Sequence, residues 1–293
     1  MNAGSTRARV APLTGRAWLR ALGGALALAL LSACSSVRPW INAPMRPEQL
    51  QAAHVNEQRD PSLVMAVTLS GGGARAAAFG YGVLRALDAV HFDWNGKPLT
   101  LLDATDLISG VSGGSIVAAY YAAFGREGLP RFESEFLRRD FQQGLISLLL
   151  RPGSLHELSS PWFGRSNLLQ RQLDELYRGM SFADLEARPR HPQLIVTATD
   201  LTRGHGFEFT WDQFALICSD LGAVPLSFAV AASSAVPIAL SPLTVKNHAG
   251  QCPAPVAGAL AHAAGIGAQG PADYRQRLYR AQINEYLDAS ARP

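Results

Sequence analysis

The sequence predicts an α/β fold in which a central, mostly parallel sheet is flanked by helices. Two strand–glycine turn–helix units stand in succession, over residues 63–90 and 105–124. Parallel strands need such crossover connections, and the helices that supply them cover the sheet. Further apolar runs of strand type appear at 194–199 and 206–211, beyond a largely helical stretch. An apolar fraction of 48% against 17% charged residues suits a chain that buries a core.

Leu63–Leu69 (LVMAVTL) is a short apolar run with the composition of a buried strand. Leu69-Ser70-Gly71-Gly72-Gly73-Ala74-Arg75 follows, and Phe79, Val83, Leu84, Leu87 and Val90 then recur at helical spacing, predicting a helix over 74–90. A second short strand, 105–109, runs into Gly110-Val111-Ser112-Gly113-Gly114, and Ser115–Phe124 continues as a small-residue helix. Residues 125–190 read as mostly helical and more polar, with Leu168, Leu169, Leu173 and Leu176 on one face. Within them 145–150 (LISLLL) is an apolar patch that either packs in the core or covers a substrate or membrane. Strands follow at 194–199 and 206–211, then a helix over 226–235 that Pro237 ends. Residues 250–271 read as an irregular loop and 273–288 as a last helix.

The N-terminus carries an export signal. Arg7, Arg9, Arg16 and Arg20 precede an apolar run from Ala21 to Leu31, shorter than the roughly 20 residues a bilayer span needs. Leu31-Ser32-Ala33-Cys34 has the form of a bacterial lipobox, which makes Cys34 the expected lipidation site. Ser35 replaces the aspartate associated with inner-membrane retention, so the expected location is the outer membrane, facing the periplasm. The resulting organisation is a signal peptide over 1–33, a lipidated tether over 34–60 and one large domain over 61–293. The formal charge is +3, and the four arginines before Cys34 more than account for it. The near-neutral remainder gives no footprint for nucleic acid. Cys218 and Cys252 form an even pair, open to a disulfide or to buried thiols. No histidine or cysteine cluster has metal-ligand spacing, and no cofactor is expected.

The two glycine motifs point to acyl transfer. Gly110-Val111-Ser112-Gly113-Gly114 fits G-x-S-x-G, the strained turn that lifts a serine hydroxyl above a sheet. Gly110 and Gly114 allow strand and helix to approach, Gly113 leaves room beside Ser112, and Ser115 reads as a residue of the helix start. The triple-glycine turn offers backbone amides to an oxyanion. Dinucleotide binding is disfavoured, because Ala76 stands where G-x-G-x-x-G requires glycine and neither Asp88 nor Asp93 sits where the ribose acid belongs.

Ser70–Gly82 (SGGGARAAAFGYG), Gly110–Ser115 (GVSGGS) and Ala232–Pro237 (ASSAVP) together resemble the patatin-like phospholipase family, over roughly residues 63–245. The resemblance implies a three-layer sandwich, with the sheet between helices, and a Ser–Asp dyad that cleaves acyl esters of phospholipids or related substrates without a histidine. It makes Ser112 the nucleophile, the amides of Gly72, Gly73 and Ala74 the oxyanion donors, and Arg75 a candidate contact for a lipid phosphate. Two departures stand out. Ala76 replaces a usual glycine, and none of the thirteen aspartates is followed by glycine, whereas the dyad aspartate of the family sits in an Asp-Gly motif after the A-S-x-A-x-P segment. Only Asp273 and Asp288 follow Pro237. The expectation is a domain incomplete at its C-terminus, with an inactive, lipid- or protein-binding envelope lipoprotein as one alternative. A Ser–His–Asp esterase drawing on Asp200 and His205, His248 or His262 is the other.

Overall fold

The computed structural model describes residues 23–24, 36–47, 62–139, 141–237, 239–256, 258 and 274–287. β1 (Met65–Leu69) leads through the glycine loop into α1 (Gly73–Ala89). The hairpin of β2 (His91–Trp94) and β3 (Lys97–Thr100) follows, then β4 (Thr105–Val111) and α2 (Gly113–Phe132). After a π-helical turn at Glu133–Leu137 come α3 (Phe141–Leu149), α4 (Pro152–Leu158), α5 (Arg165–Tyr177) and α6 (Phe182–Glu186). β5 (Gln193–Asp200), β6 (His205–Phe209), α7 (Trp211–Leu216), α8 (Leu226–Ser233), a 3-10 turn at Ala249–Gln251 and α9 (Tyr274–Leu287) follow.

The main sheet has the order β1-β4-β5-β6. β1, β4 and β5 run parallel, and β6 returns antiparallel along β5. The fold is therefore the expected α/β arrangement, a mostly parallel sheet flanked by helices. Register decides what the sheet can do. Leu69 lies opposite Gly110, and Val111 lies opposite Thr197, so the residues that leave β1 and β4 emerge at one carboxyl edge. In open α/β sheets that edge is where ligands bind.

α2 is buried on every side from Gly113 to Ala123, as its small apolar sequence requires. Its regular path breaks at Gly125 (φ 63°, ψ −166°), next to the expected end at Phe124. The apolar face expected on α5 is buried, and the Tyr177 hydroxyl at its end donates to Ile116 O of α2 over 3.1 Å. The β2–β3 hairpin was not expected. Asn95 and Gly96 both have positive φ, the geometry of a two-residue hairpin turn, and Asn-Gly is the sequence signal for it.

Part of the span expected to be a tether packs on the domain. Trp40 packs against Phe228 with tilted rings whose centroids are 4.6 Å apart, Asn42 Nδ2 donates to Ser219 Oγ over 2.8 Å, and Met45 N donates to Cys218 O. Cys218 and Cys252, left open between disulfide and thiols, are joined, with Cα atoms 5.1 Å apart. Within the apolar 145–150 patch Leu148 and Leu149 are half-buried, and Ile146 and Leu150 are exposed. Cys34 and nearly all of the export signal lie outside the described residues. Among the described residues no helix is long and apolar enough to cross a membrane.

Candidate active site

Ser112 occupies the turn between β4 and α2 with φ 51° and ψ −122°. Such a conformation costs a side-chain-bearing residue about 1–3 kcal/mol and persists only where its surroundings impose it. The Ser112 amide donates to Ser233 Oγ over 2.7 Å, and that hydroxyl donates onward to Thr197 O over 2.6 Å. The hydroxyl of one residue on α8 thus ties the strained turn to the neighbouring strand β5. Ser115 Oγ donates back to Ser112 O over 2.6 Å from within the first turn of α2, a local bond of the helix start. The Ser112 hydroxyl itself has no hydrogen-bond partner among the described residues, and the residue is half-buried.

The glycine loop lies directly against this turn. A Cβ at Gly113 would come within 2.7 and 2.8 Å of Gly73 C and N, and closer still to Gly73 O. One at Gly114 would fall 2.6 Å from Ser70 O, and one at Gly110 would fall 2.6 Å from Ser115 N. A Cβ at Gly71 would stand 3.3 Å from that of Ser112. The three turn glycines are thus positions of backbone-to-backbone contact. Gly72 (φ 145°) and Gly73 (φ 63°) take the loop into α1 through conformations that favour glycine. Gly73 and Ala74 open α1, and the first amides of a helix lack intrahelical acceptors. Arg75, on the same first turn, is exposed and forms no ion pair among the described residues.

The residues considered as a substitute base are committed elsewhere. Asp200 Oδ1 accepts from Thr202 N and Oγ1 and from Arg203 N, and Oδ2 accepts from Tyr286 OH over 3.0 Å. Burial pushes the Asp200 carboxyl up, but the Thr202 and Tyr286 hydrogen bonds and the Arg203 charge outweigh it. The group is held below its ordinary range. His205 Nδ1 lies 3.1 Å from Gly206 O, and its Nε2 lies 3.6 Å from a Glu285 oxygen. His248 is buried with Nε2 3.0 Å from Asn42 O, and its Nδ1 has no hydrogen-bond partner among the described residues. None of the three hydrogen-bonds Ser112, and His262 lies outside the described residues. The sequence reading missed Ser233 as a positioning residue. It had singled out the 232–237 segment only by resemblance, and nothing in local sequence says that α8 returns beneath the β4–α2 turn.

The fold and this edge define a class: three-layer α/β proteins that present a serine on a strained strand-to-helix turn beside a glycine-rich helix start. The patatin-like phospholipase family model matches residues 67–267, and the chain belongs to that family, whose members are lipid acyl hydrolases. A search of curated proteins and a search of solved structures each returned no match.

Proposed function

We propose that this protein is a serine acyl-ester hydrolase acting on phospholipids or related lipid esters, with Ser112 as nucleophile. The observation that carries the proposal is the contact between the two glycine turns. It sets a strained serine beside the amide-rich start of α1. In this reading Ser112 Oγ bonds to the ester carbonyl carbon as its proton passes to a base. The oxyanion is held by the amides of Gly72, Gly73 and Ala74. The intermediate collapses, the alcohol leaves with a proton, and water hydrolyses the acyl-enzyme to free acid. Arg75 is the candidate contact for a substrate phosphate. The protein is read as a lipoprotein of the bacterial envelope, anchored through Cys34.

One set of observations favours a second reading, in which the chain binds lipid without turning it over. No carboxylate or imidazole among the described residues hydrogen-bonds Ser112, and no aspartate in the sequence precedes a glycine. Fatty-acid release from phospholipid vesicles, compared with a Ser112→Ala control of unchanged thermal stability, separates the two. Release that the control lacks supports the hydrolase. Equal background from both proteins supports the binding reading.

A further inference from the structure

α3 and α4 form a short helical pair with apolar side chains turned to solvent. Ile146 is 55% exposed, Leu150 72%, Leu155 56%, and Trp162, just beyond α4, 62%. Ile146 and Leu150 are one helical turn apart, and Arg151 caps the start of α4, its O accepting from Leu155 N. No acidic residue occurs from Phe141 to His156, and exposed arginines flank the pair at positions 139, 151 and 165, while Arg138 is paired with Glu133 and Glu157 of α4 with Arg171. Arg151, at the start of α4, makes no ion pair with a described residue. A cationic rim around exposed leucine, isoleucine and tryptophan is the composition of a surface that sits in the headgroup layer of an anionic bilayer.

The chain arriving from the N-terminus meets the same region. Ser160 Oγ donates to Val37 O over 2.7 Å, and the Arg38 guanidinium lies 5.4 Å from the centre of the Trp162 ring. Cys34 precedes Val37 by three residues, a reach of at most about 10 Å for extended chain. A lipid on Cys34 would therefore enter the bilayer within that distance of the turn that carries Trp162.

We propose that the α3–α4 pair with Trp162 is a bilayer-docking face, which lays the domain on an anionic membrane beside its own anchor. The juxtaposition with the anchor rests on the lipoprotein reading above, whereas the docking face does not. A lipid anchor tethers one point of the chain, whereas a second, protein-borne contact of this kind sets which face of the domain lies on the bilayer.

The test uses the full chain with vesicles of phosphatidylethanolamine and phosphatidylglycerol, in which a portion of the acyl chains is brominated. The part of the tryptophan fluorescence that disappears in Trp162→Phe should be quenched by the brominated lipid. In Ile146→Glu/Leu150→Glu that quenching should fall to the level seen with unbrominated vesicles. Ile146→Leu/Leu150→Ile should retain it, and unchanged near-ultraviolet circular dichroism keeps misfolding out of the comparison. Absence of Trp162 quenching in wild-type protein bound to vesicles would overturn the proposal. So would a charged pair that leaves quenching intact, or one that instead converts a dimer into a monomer, which would make the patch a self-association face. Incorporation of labelled fatty acid into wild type but not Cys34→Ala tests the anchor separately. Unlabelled protein whose Trp162 is still quenched would remove the anchor and leave the docking face standing.

Discussion

Gly113→Ala probes the contact between the two glycine turns. The added Cβ would lie 2.7 and 2.8 Å from Gly73 C and N, all of it fixed backbone. Ordinary carbon contacts lie at about 3.5–4.0 Å, so the turns must part by about 1 Å. Overpacking of this kind costs about 1–3 kcal/mol. At about 2–4 °C per kcal/mol for a domain of similar size, the melting temperature should fall by roughly 2–12 °C. A displacement of about 1 Å between nucleophile and oxyanion donors is worth about a hundredfold in rate. Gly82→Ala is the matched control. It lies within α1 with nothing within 4 Å of the added Cβ. Replacing a helix-interior glycine gains about 0.5–1 kcal/mol, so that variant should melt slightly higher. Differential scanning fluorimetry gives the stabilities, and the rate of fluorophosphonate incorporation reports on the site. A Gly113→Ala protein that melts with wild type and incorporates the probe at the wild-type rate would refute the idea that this close approach builds the site.

Ser233→Ala should leave the Ser112 amide and Thr197 carbonyl without their partner, a loss of about 1–3 kcal/mol in urea unfolding that Ser233→Thr largely restores. Breaking the Cys218–Cys252 bond with a Cys218→Ser/Cys252→Ser pair should cost about 2–4 kcal/mol, and thiol titration of denatured, unreduced wild type should find neither cysteine free. Because the Asp200 carboxyl titrates below its unfolded value, its stabilising share is complete above about pH 4 and is lost as pH falls through the folded value. Stability against pH should therefore drop more steeply on the acid side in wild type than in Asp200→Asn, and equal slopes would remove Asp200 from that role.

What was legible in the sequence was what local pattern controls. Strand and helix periods gave β1, α1, β4, α2 and the buried face of α5, because apolar spacing alone decides which side of an element can be covered. The two glycine turns were legible because few other residues permit backbone contact at that distance. Long-range partners were not. Ser233 reaches Ser112 only because α8 folds back under the sheet edge, and Trp40 becomes a packing residue only once Phe228 is near it. The exposure of Ile146 and Leu150 was equally hidden, since an apolar helix reads the same in sequence whether or not something covers it. The β2–β3 hairpin is different, because Asn95-Gly96 was a local signal left unread.

Labelling by a fluorophosphonate followed by peptide mapping measures the role of Ser112 most directly. A nucleophile at this turn should yield one adduct, on Ser112, that disappears in Ser112→Ala and forms more slowly in Gly113→Ala. A folded wild-type protein that gives no adduct, or gives one on Ser115, Ser233 or another serine, would contradict it.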